Sequence, residues 1–138
     1  MTEAVTLMID DQTVTVPAGT TILNAAASVG IDIPTICYHP SLTPPAICRL
    51  CTVEVEKQRV LPPACVVPVA DEMVVKTNSA RVQTARRVIL ELLNSTVDLS
   101  EAPEINAYID KFGADATRFA GGIAREFDVF ADNPFYLR

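Results

Sequence analysis

The residues of this sequence that are best able to do chemistry are its four cysteines, Cys37, Cys48, Cys51 and Cys65. Their spacing is C-x10-C-x2-C-x13-C, and the first three fall on one proline-rich stretch. Thiolates are soft, charged donors that bind iron and zinc. A loop that wraps an iron–sulfur cluster also offers backbone N–H groups to the sulfur atoms. The pattern favours a metal or redox site that uses every cysteine in the chain.

Other chemistries for these cysteines stay open at this point. A structural zinc site typically uses two short C-x2–4-C pairs, and only Cys48 and Cys51 form such a pair. Two disulfides suit a secreted protein, and a dithiol redox centre would leave two cysteines without a role. A Rieske centre needs two histidines and is excluded, because His39 is the only one. We expect His39 to pack or hydrogen bond within its loop rather than bind a metal.

The composition narrows the class of protein. A chain of 138 residues, with 49% hydrophobic and 20% charged residues, suits one compact domain with or without an appendage. The net charge of -6 argues against a nucleic-acid partner, because phosphate binding needs a basic face. No apolar run approaches the ~20 residues of a membrane span, and residues 1–4 lack the basic start of a signal peptide. We therefore expect a cytoplasmic protein, in which disulfides are rare.

Five stretches carry the composition or the alternation of β-strands. They are residues 6–9, 13–16, 52–56, 65–69 and 73–76. The first two enclose a polar turn and predict a hairpin. Prolines rule out a helix or a central strand over residues 31–47, and loops of that length are usually functional. Because Cys65 opens the fourth stretch, we expect the last cysteine on a strand that returns beside this loop.

Helix signals fall in three places. The predicted helices cover about residues 22–29, 80–94 and 100–112. The first follows a cap at Thr20 or Thr21, and the second follows Ser79. The apolar face of the second consists of Val82, Ala85, Ile89, Leu92 and Leu93. The order of elements predicts an α+β fold, in which one helix crosses a small mixed sheet and a mostly helical extension follows.

The segments around the cysteines match a known pattern. They are ICYHP at 36–40, CRLCTVEV at 48–55 and PAC at 63–65, and the match continues through 68–75 and 85–93. They closely resemble the N-terminal 2Fe–2S domain of the large iron–sulfur subunit of respiratory complex I, with relatives in NAD-linked iron-only hydrogenases and formate dehydrogenases. The ten-residue first gap separates this family from plant-type ferredoxins. Over residues 4–95 the resemblance implies a β-grasp fold with one 2Fe–2S cluster on Cys37, Cys48, Cys51 and Cys65.

The chain also departs from that family. Members normally continue with a His-x3-Cys-x2-Cys-x5-Cys motif for a 4Fe–4S cluster, but residues 94–103 here contain neither histidine nor cysteine. The resemblance therefore implies a ferredoxin domain at 1–78 and, at 79–138, a helical extension that lacks the second cluster's ligands. The family often has glycine where this chain has Ala46 and Glu72. We expect a slightly different loop at either position if it needs a positive φ.

These features predict an electron-transfer subunit with no catalytic site of its own. It would relay electrons within a multisubunit flavin/iron–sulfur oxidoreductase linked to NAD(P)H, hydrogen or formate. The expected partners are subunits that carry flavin or 4Fe–4S clusters. An apolar tail at 127–137 is expected to dock against a subunit that supplies the ferredoxin-like module present in larger relatives. A freely diffusing 2Fe–2S shuttle and a zinc-stapled interaction module stay open as alternatives.

Overall fold

The strands form one mixed sheet in the computed structural model, which describes residues 3–121. In chain order they are β1 (Ala4–Ile9), β2 (Gln12–Pro17), β3 (Glu54–Val55) and β4 (Val74–Lys76). The order across the sheet is β2-β1-β4-β3. The β1 and β4 strands run parallel, whereas the two outer pairs are antiparallel. With the helices described below, this confirms the α+β class.

The predicted hairpin is confirmed. Buried residues alternate with exposed ones along β1 and β2, so that Leu7, Ile9, Val14 and Val16 face the core. Asp10 and Asp11 form the turn with φ angles of 45° and 65°. Two consecutive positive φ angles match the twist of the flanking strands, and aspartate adopts them at lower cost than most residues.

One helix, α1 (Ile22–Ser28), packs against this sheet. The Thr21 hydroxyl accepts the Asn24 N–H at 3.3 Å, which confirms the predicted cap. Gly30 has a φ of 79° just beyond the helix end, the left-handed conformation that terminates helices. The helix therefore begins and ends where its sequence signals indicate.

The predicted strand at 65–69 is wrong, and the strand predicted at 52–56 is shorter than expected. Residues 64–66 form a turn, and the segment contributes only one isolated bridge, between Thr21 and Pro68. Prolines at 62, 63 and 68 have no N–H for a ladder. The Pro63 carbonyl accepts the N–H groups of Val66 and Val67, which closes the turn. Cys65 therefore lies on a turn and not on a strand.

Two helices follow the sheet: α2 (Ala80–Thr96) and α3 (Pro103–Phe112). Ser79 caps α2 as predicted, by accepting the Val82 N–H at 3.3 Å. The α3 helix begins three residues later than predicted, because the Asp98 carboxylate accepts the Ser100 N–H in a local turn. The domain boundary between 78 and 79 stays a prediction, and the tail at 127–137 lies outside the described residues.

The buried face of α2 differs from the predicted one. Its buried residues are Val82, Arg86, Leu90 and Glu91, whereas Leu92 is 47% exposed. The reason is that both charged residues have partners inside the fold. The Glu91 carboxylate accepts the Asp115 N–H at 3.1 Å and the Arg118 guanidinium at 2.9 Å. Paired charges can therefore occupy positions that a hydrophobic pattern would give to apolar residues.

None of the helices formed by residues 3–121 is both long enough and apolar enough to cross a lipid bilayer.

The residue in the turn before β4 supports a stability prediction. Glu72 is exposed and has a φ of 58°, so this chain keeps the left-handed backbone without a glycine. An L-residue in that region is strained, and glycine is not. We expect Glu72→Gly to raise the free energy of unfolding by about 0.5–1 kcal/mol. Chemical unfolding of the purified protein measures this.

Glu56→Gly is the matched control. Glu56 is also exposed but does not have a positive φ, so glycine there only adds chain entropy to the unfolded state. We expect Glu56→Gly to lower the unfolding free energy. An equal decrease in the free energy of unfolding in both variants would contradict backbone strain at Glu72.

Candidate metal centre

Cys37 lies on the long loop and is held in place by the next residue. The Tyr38 ring packs against the hydrophobic core, and its hydroxyl donates to the Asn24 amide oxygen of α1 at 3.2 Å. The Cys37 side chain is half-buried. The loop is therefore attached to α1 immediately beside its first cysteine.

Two left-handed residues shape the backbone on either side of Cys48. Ala46 has a φ of 54° and Arg49 a φ of 59°. Ala46 and Glu72 are the two positions at which the family often has glycine. Both have a positive φ here, so the glycine-like backbone is kept at each of them. The Arg49 carbonyl then accepts the Thr52 N–H at 3.1 Å. These turns bring Cys48 back toward the start of the loop.

Backbone amides surround the Cys48 sulfur. Burial acts to raise the pKa of the Cys48 thiol, but hydrogen bonds from the Leu50 and Cys37 backbone, from the Cys37 side chain and from the Ile36 backbone outweigh it. The net effect is a lowered pKa. Amide donors that favour a thiolate also stabilise sulfur in an iron–sulfur site. This agrees with the expectation that the loop directs its N–H groups at the sulfur atoms.

Cys51 and Cys65 form the inner part of the site, with exposed fractions of 2% and 1%. Their segments are joined because the Cys51 carbonyl accepts the Ala64 N–H at 3.1 Å. The turn that carries Cys65 also receives the first N–H groups of α1. The carbonyls of Val67 and Ala64 accept them at 2.9 and 3.0 Å. Helix α1 therefore positions Cys65, whereas a strand was expected to do so.

The four thiols lie as two pairs, Cys37 with Cys48 and Cys51 with Cys65. Burial, and then the neighbouring Cys51, raise the pKa of the Cys65 thiol to about 12, and the two outer cysteines act in the same direction. The Cys65 thiol is therefore ionised at neutral pH only beside a compensating cation. The donor set fits a group with two metal ions, which Cys37, Cys48, Cys51 and Cys65 would hold.

Disulfides and a single zinc ion fit this arrangement of cysteines less well than a two-metal cluster does. All four cysteines are free, so no disulfide is present. In residues 3–121, no three Cys, His, Asp or Glu side chains are grouped as ligands of a single metal ion. His39 is exposed, and its Nδ1 accepts the Ser41 N–H at 3.2 Å within the loop, as expected. The pairing favours a two-metal cluster over one tetrahedral zinc.

Arg86 is a neighbour of the site for which the sequence alone predicts no role. It is 2% exposed, and its guanidinium donates to the carbonyls of Leu50 and Thr52 at 3.1 and 2.9 Å. These two residues flank Cys51. One sequence feature could have indicated that Arg86 is buried. The four-residue spacing of Val82, Arg86 and Leu90 places this cation between two apolar residues on one helix face.

Comparison with known proteins gives a consistent result. A family model described as a 2Fe-2S iron-sulfur cluster binding domain matches residues 2–80. The NADP-reducing hydrogenase subunit HndD of Solidesulfovibrio fructosivorans is 44% identical over 134 residues, which cover 85% of this chain and 22% of that protein. The NADH-ubiquinone oxidoreductase 75 kDa subunit of Reclinomonas americana is 45% identical over 89 residues, which cover 64% of this chain and 13% of that protein.

The fold is also found in a solved structure. A crystal structure of an NAD+-reducing NiFe-hydrogenase in the H2-reduced state aligns with a TM-score of 0.76 and 26% identity, over 94% of this chain and 57% of that chain. The present chain spans only 22% of the length of the first of these curated relatives and 13% of the second. These matches confirm the ferredoxin-like fold and the predicted family. With more than half of its residues matched, the chain belongs to the 2Fe–2S iron–sulfur cluster binding domain family, and its cofactor is a 2Fe–2S cluster.

Proposed function

We propose that this protein is a single-cluster electron-transfer subunit of a multisubunit flavin/iron–sulfur oxidoreductase, with Cys37, Cys48, Cys51 and Cys65 as the four ligands. The observation that carries the proposal is the arrangement of the only four cysteines as two pairs, one half-buried and one buried. When bound, a 2Fe–2S cluster supplies one-electron redox chemistry. The chain itself contributes binding, orientation and electrostatics.

The two pairs have different tasks in this proposal. Cys37 and Cys48 are half-buried on the loop, and the exposed apolar side chains of Leu42 and Ile47 lie between them in the sequence. This side is where a partner can approach. Cys51 and Cys65 are buried in the core, which keeps water away from these two inner ligands. A site open on one side suits electron exchange with one partner at a time.

The partners and the compartment belong to the same proposal. The relatives named above are hydrogenase and NADH-ubiquinone oxidoreductase subunits. We infer that this chain associates with subunits carrying flavin or 4Fe–4S clusters, in the cytoplasm, and that NAD(P)H, hydrogen or formate is the substrate of the whole complex. The chain has no catalytic site of its own in this proposal.

Cofactor content tests the single-cluster proposal. We expect two irons and two labile sulfides per chain, because four cysteines provide ligands for one 2Fe–2S cluster and residues 94–103 provide none for a second. Anaerobic iron and sulfide analysis and EPR after dithionite reduction measure this. Four or more irons per chain, a 4Fe–4S signal or stoichiometric zinc would contradict it.

The second candidate is a freely diffusing 2Fe–2S shuttle. Its cluster could also exchange electrons through the half-buried side at Cys37 and Cys48. The helical extension favours the subunit, because residues 80–121 add two helices that a shuttle of about 80 residues does not need. Native co-purification separates the two: a subunit elutes with larger flavin- or iron-containing chains, and a shuttle elutes alone.

A further inference from the structure

Arg86 is a buried cation in direct contact with the backbone of the metal centre. Its Nε donates to the Leu50 carbonyl at 3.1 Å, and a terminal nitrogen donates to the Thr52 carbonyl at 2.9 Å. One guanidinium therefore binds the carbonyls of the two residues that flank Cys51. The rigid, planar fork of arginine suits such a two-point contact, which lysine cannot reproduce.

The hydrogen bonds that the structure shows for the Arg86 guanidinium go to backbone carbonyls of the described residues, and not to carboxylates. Among the residues that the structure describes, no carboxylate is within ion-pair distance of its guanidinium. Burial lowers the pKa of Arg86 to about 10, and the charges of Cys51 and Asp10 act in the opposite direction. The side chain is therefore protonated at neutral pH. A buried cation that forms no ion pair within residues 3–121 is costly for a fold and is kept where it interacts with another charge.

Helix α3 shields this cation from water. The Phe112 ring lies 5.6 Å from the guanidinium carbon, a cation–π distance. Phe112 and Arg86 both line a cavity of about 220 Å³, together with Pro34 of the cysteine loop. Removal of the ring would open this cavity and let water reach the guanidinium. The electrostatic influence of Arg86 therefore depends on the extension as well as on α2.

We propose that Arg86 is a positioning residue of the redox site: it fixes the carbonyls of Leu50 and Thr52, the neighbours of Cys51, and places a permanent positive charge there that favours the reduced protein. Reduction adds one negative charge to the site. A cation held in a region of low dielectric stabilises that charge more than it would in water. Arg86 therefore raises the reduction potential. This inference rests on the proposed role of Cys51 as a ligand.

The proposal also gives the helical extension a function without a second cluster. The α2 helix supplies the cation, and α3 covers it with Phe112. A chain cut after the ferredoxin domain would lose both. Residues 80–112 then serve the redox site itself, in addition to any role in association with other subunits.

The test compares three substitutions in the full chain with its cofactor. Arg86→Gln removes the charge, Arg86→Lys keeps it without the fork, and Arg87→Gln removes a charge from the exposed neighbour on the same helix. We expect Arg86→Gln to change the reduced-to-oxidised ratio at a fixed potential at least tenfold toward oxidised, which is about 59 mV for a one-electron couple. Spectroelectrochemical titration measures this, with EPR of the reduced state as a second signature.

The controls separate charge from mere structure. Arg87→Gln should change the ratio less than about twofold, because solvent screens an exposed charge. The reduction potential of Arg86→Lys should lie closer to the wild-type value than that of Arg86→Gln. The proposal is overturned if Arg86→Gln shifts the potential no more than Arg87→Gln, or if the lysine and glutamine variants shift it equally.

A further variant decides the matter if Arg86→Gln does not fold. Phe112→Ala removes no charge but exposes the guanidinium to water, so we expect a smaller shift in the same negative direction. A shift in the positive direction would overturn the proposal. All these titrations use the isolated protein. They are therefore independent of whether a partner complex is found, and loss of the ligand role of Cys51 would appear separately as a coloured Cys51→Ala protein.

Discussion

Replacement of any one of Cys37, Cys48, Cys51 and Cys65 by alanine should abolish the visible absorption of the protein and its bound iron. In the proposed site, an iron that lost one thiolate would be open to water, and the loop would lose the link that joins it to the turn at Cys65. Cys65→Ala should show the full effect, because this residue is 1% exposed and water has little access to replace its thiolate. Absorption spectra and iron analysis after anaerobic purification measure the loss.

Two controls test whether the loss is specific to thiolate ligands. Val66 follows Cys65 in the sequence and is 38% exposed. The Val66→Ala protein should keep the colour. His39→Ala removes only the hydrogen bond to the Ser41 N–H and should also keep it. A colourless His39→Ala protein beside a normally coloured Cys65→Ala protein would reverse the roles assigned to these residues.

The elements that could be predicted from the sequence are those fixed by local interactions. The β1–β2 hairpin follows from strict alternation around two aspartates, and α1 follows from Thr21 at its start and Gly30 beyond its end. In each case, the residues that decide the conformation lie within a few positions of one another. Short-range rules suffice there, because the side chain that caps or the backbone that turns is part of the element itself.

The errors arise where distant contacts decide the structure. Residues 65–69 look like a strand, but their neighbouring prolines have no donors, and the carbonyls of the turn are instead taken up by the start of α1. The face of α2 was predicted from hydrophobic spacing. Arg86 and Glu91 occupy buried positions because carbonyls 34 and 36 residues away, and residues 115 and 118, provide their partners. No local pattern contains that information.

The site itself divides in the same way. Spacing and residue type single out the four cysteines, because thiolates are soft, charged donors and these four residues are the only thiols in the sequence. How they pair depends on the path of the loop. Left-handed backbone at Ala46 and Arg49 brings Cys48 toward Cys37, and such conformations are not apparent from an alanine or an arginine in a sequence. The neighbouring cation at Arg86 depends on the packing of α2 against the loop.

Deletion of residues 127–138 should leave the visible spectrum intact but abolish co-purification with the partner subunits. The four cysteines lie at least 62 positions before the deletion, so the redox site keeps all its proposed ligands. The deleted segment contains six large apolar residues, Phe127, Val129, Phe130, Phe135, Tyr136 and Leu137. Apolar segments of this kind with weak helix and strand signals usually mark interfaces. Affinity purification from the native host, with the full chain and the truncated chain in parallel, measures the loss.

A full-length variant with serine at Phe127, Phe130 and Phe135 is the matched control for chain length. It should lose the partner as the deletion does, because the interaction depends on apolar side chains and not on the presence of a tail. Limited proteolysis provides an independent measurement: the tail should be cleaved in the isolated protein and protected in the complex. Normal assembly of the truncated chain, or full protection of the tail in the lone monomer, would show that these residues belong to the protein's own core. The partner would then have to bind elsewhere, with the exposed loop residues Leu42 and Ile47 as the next surface to alter.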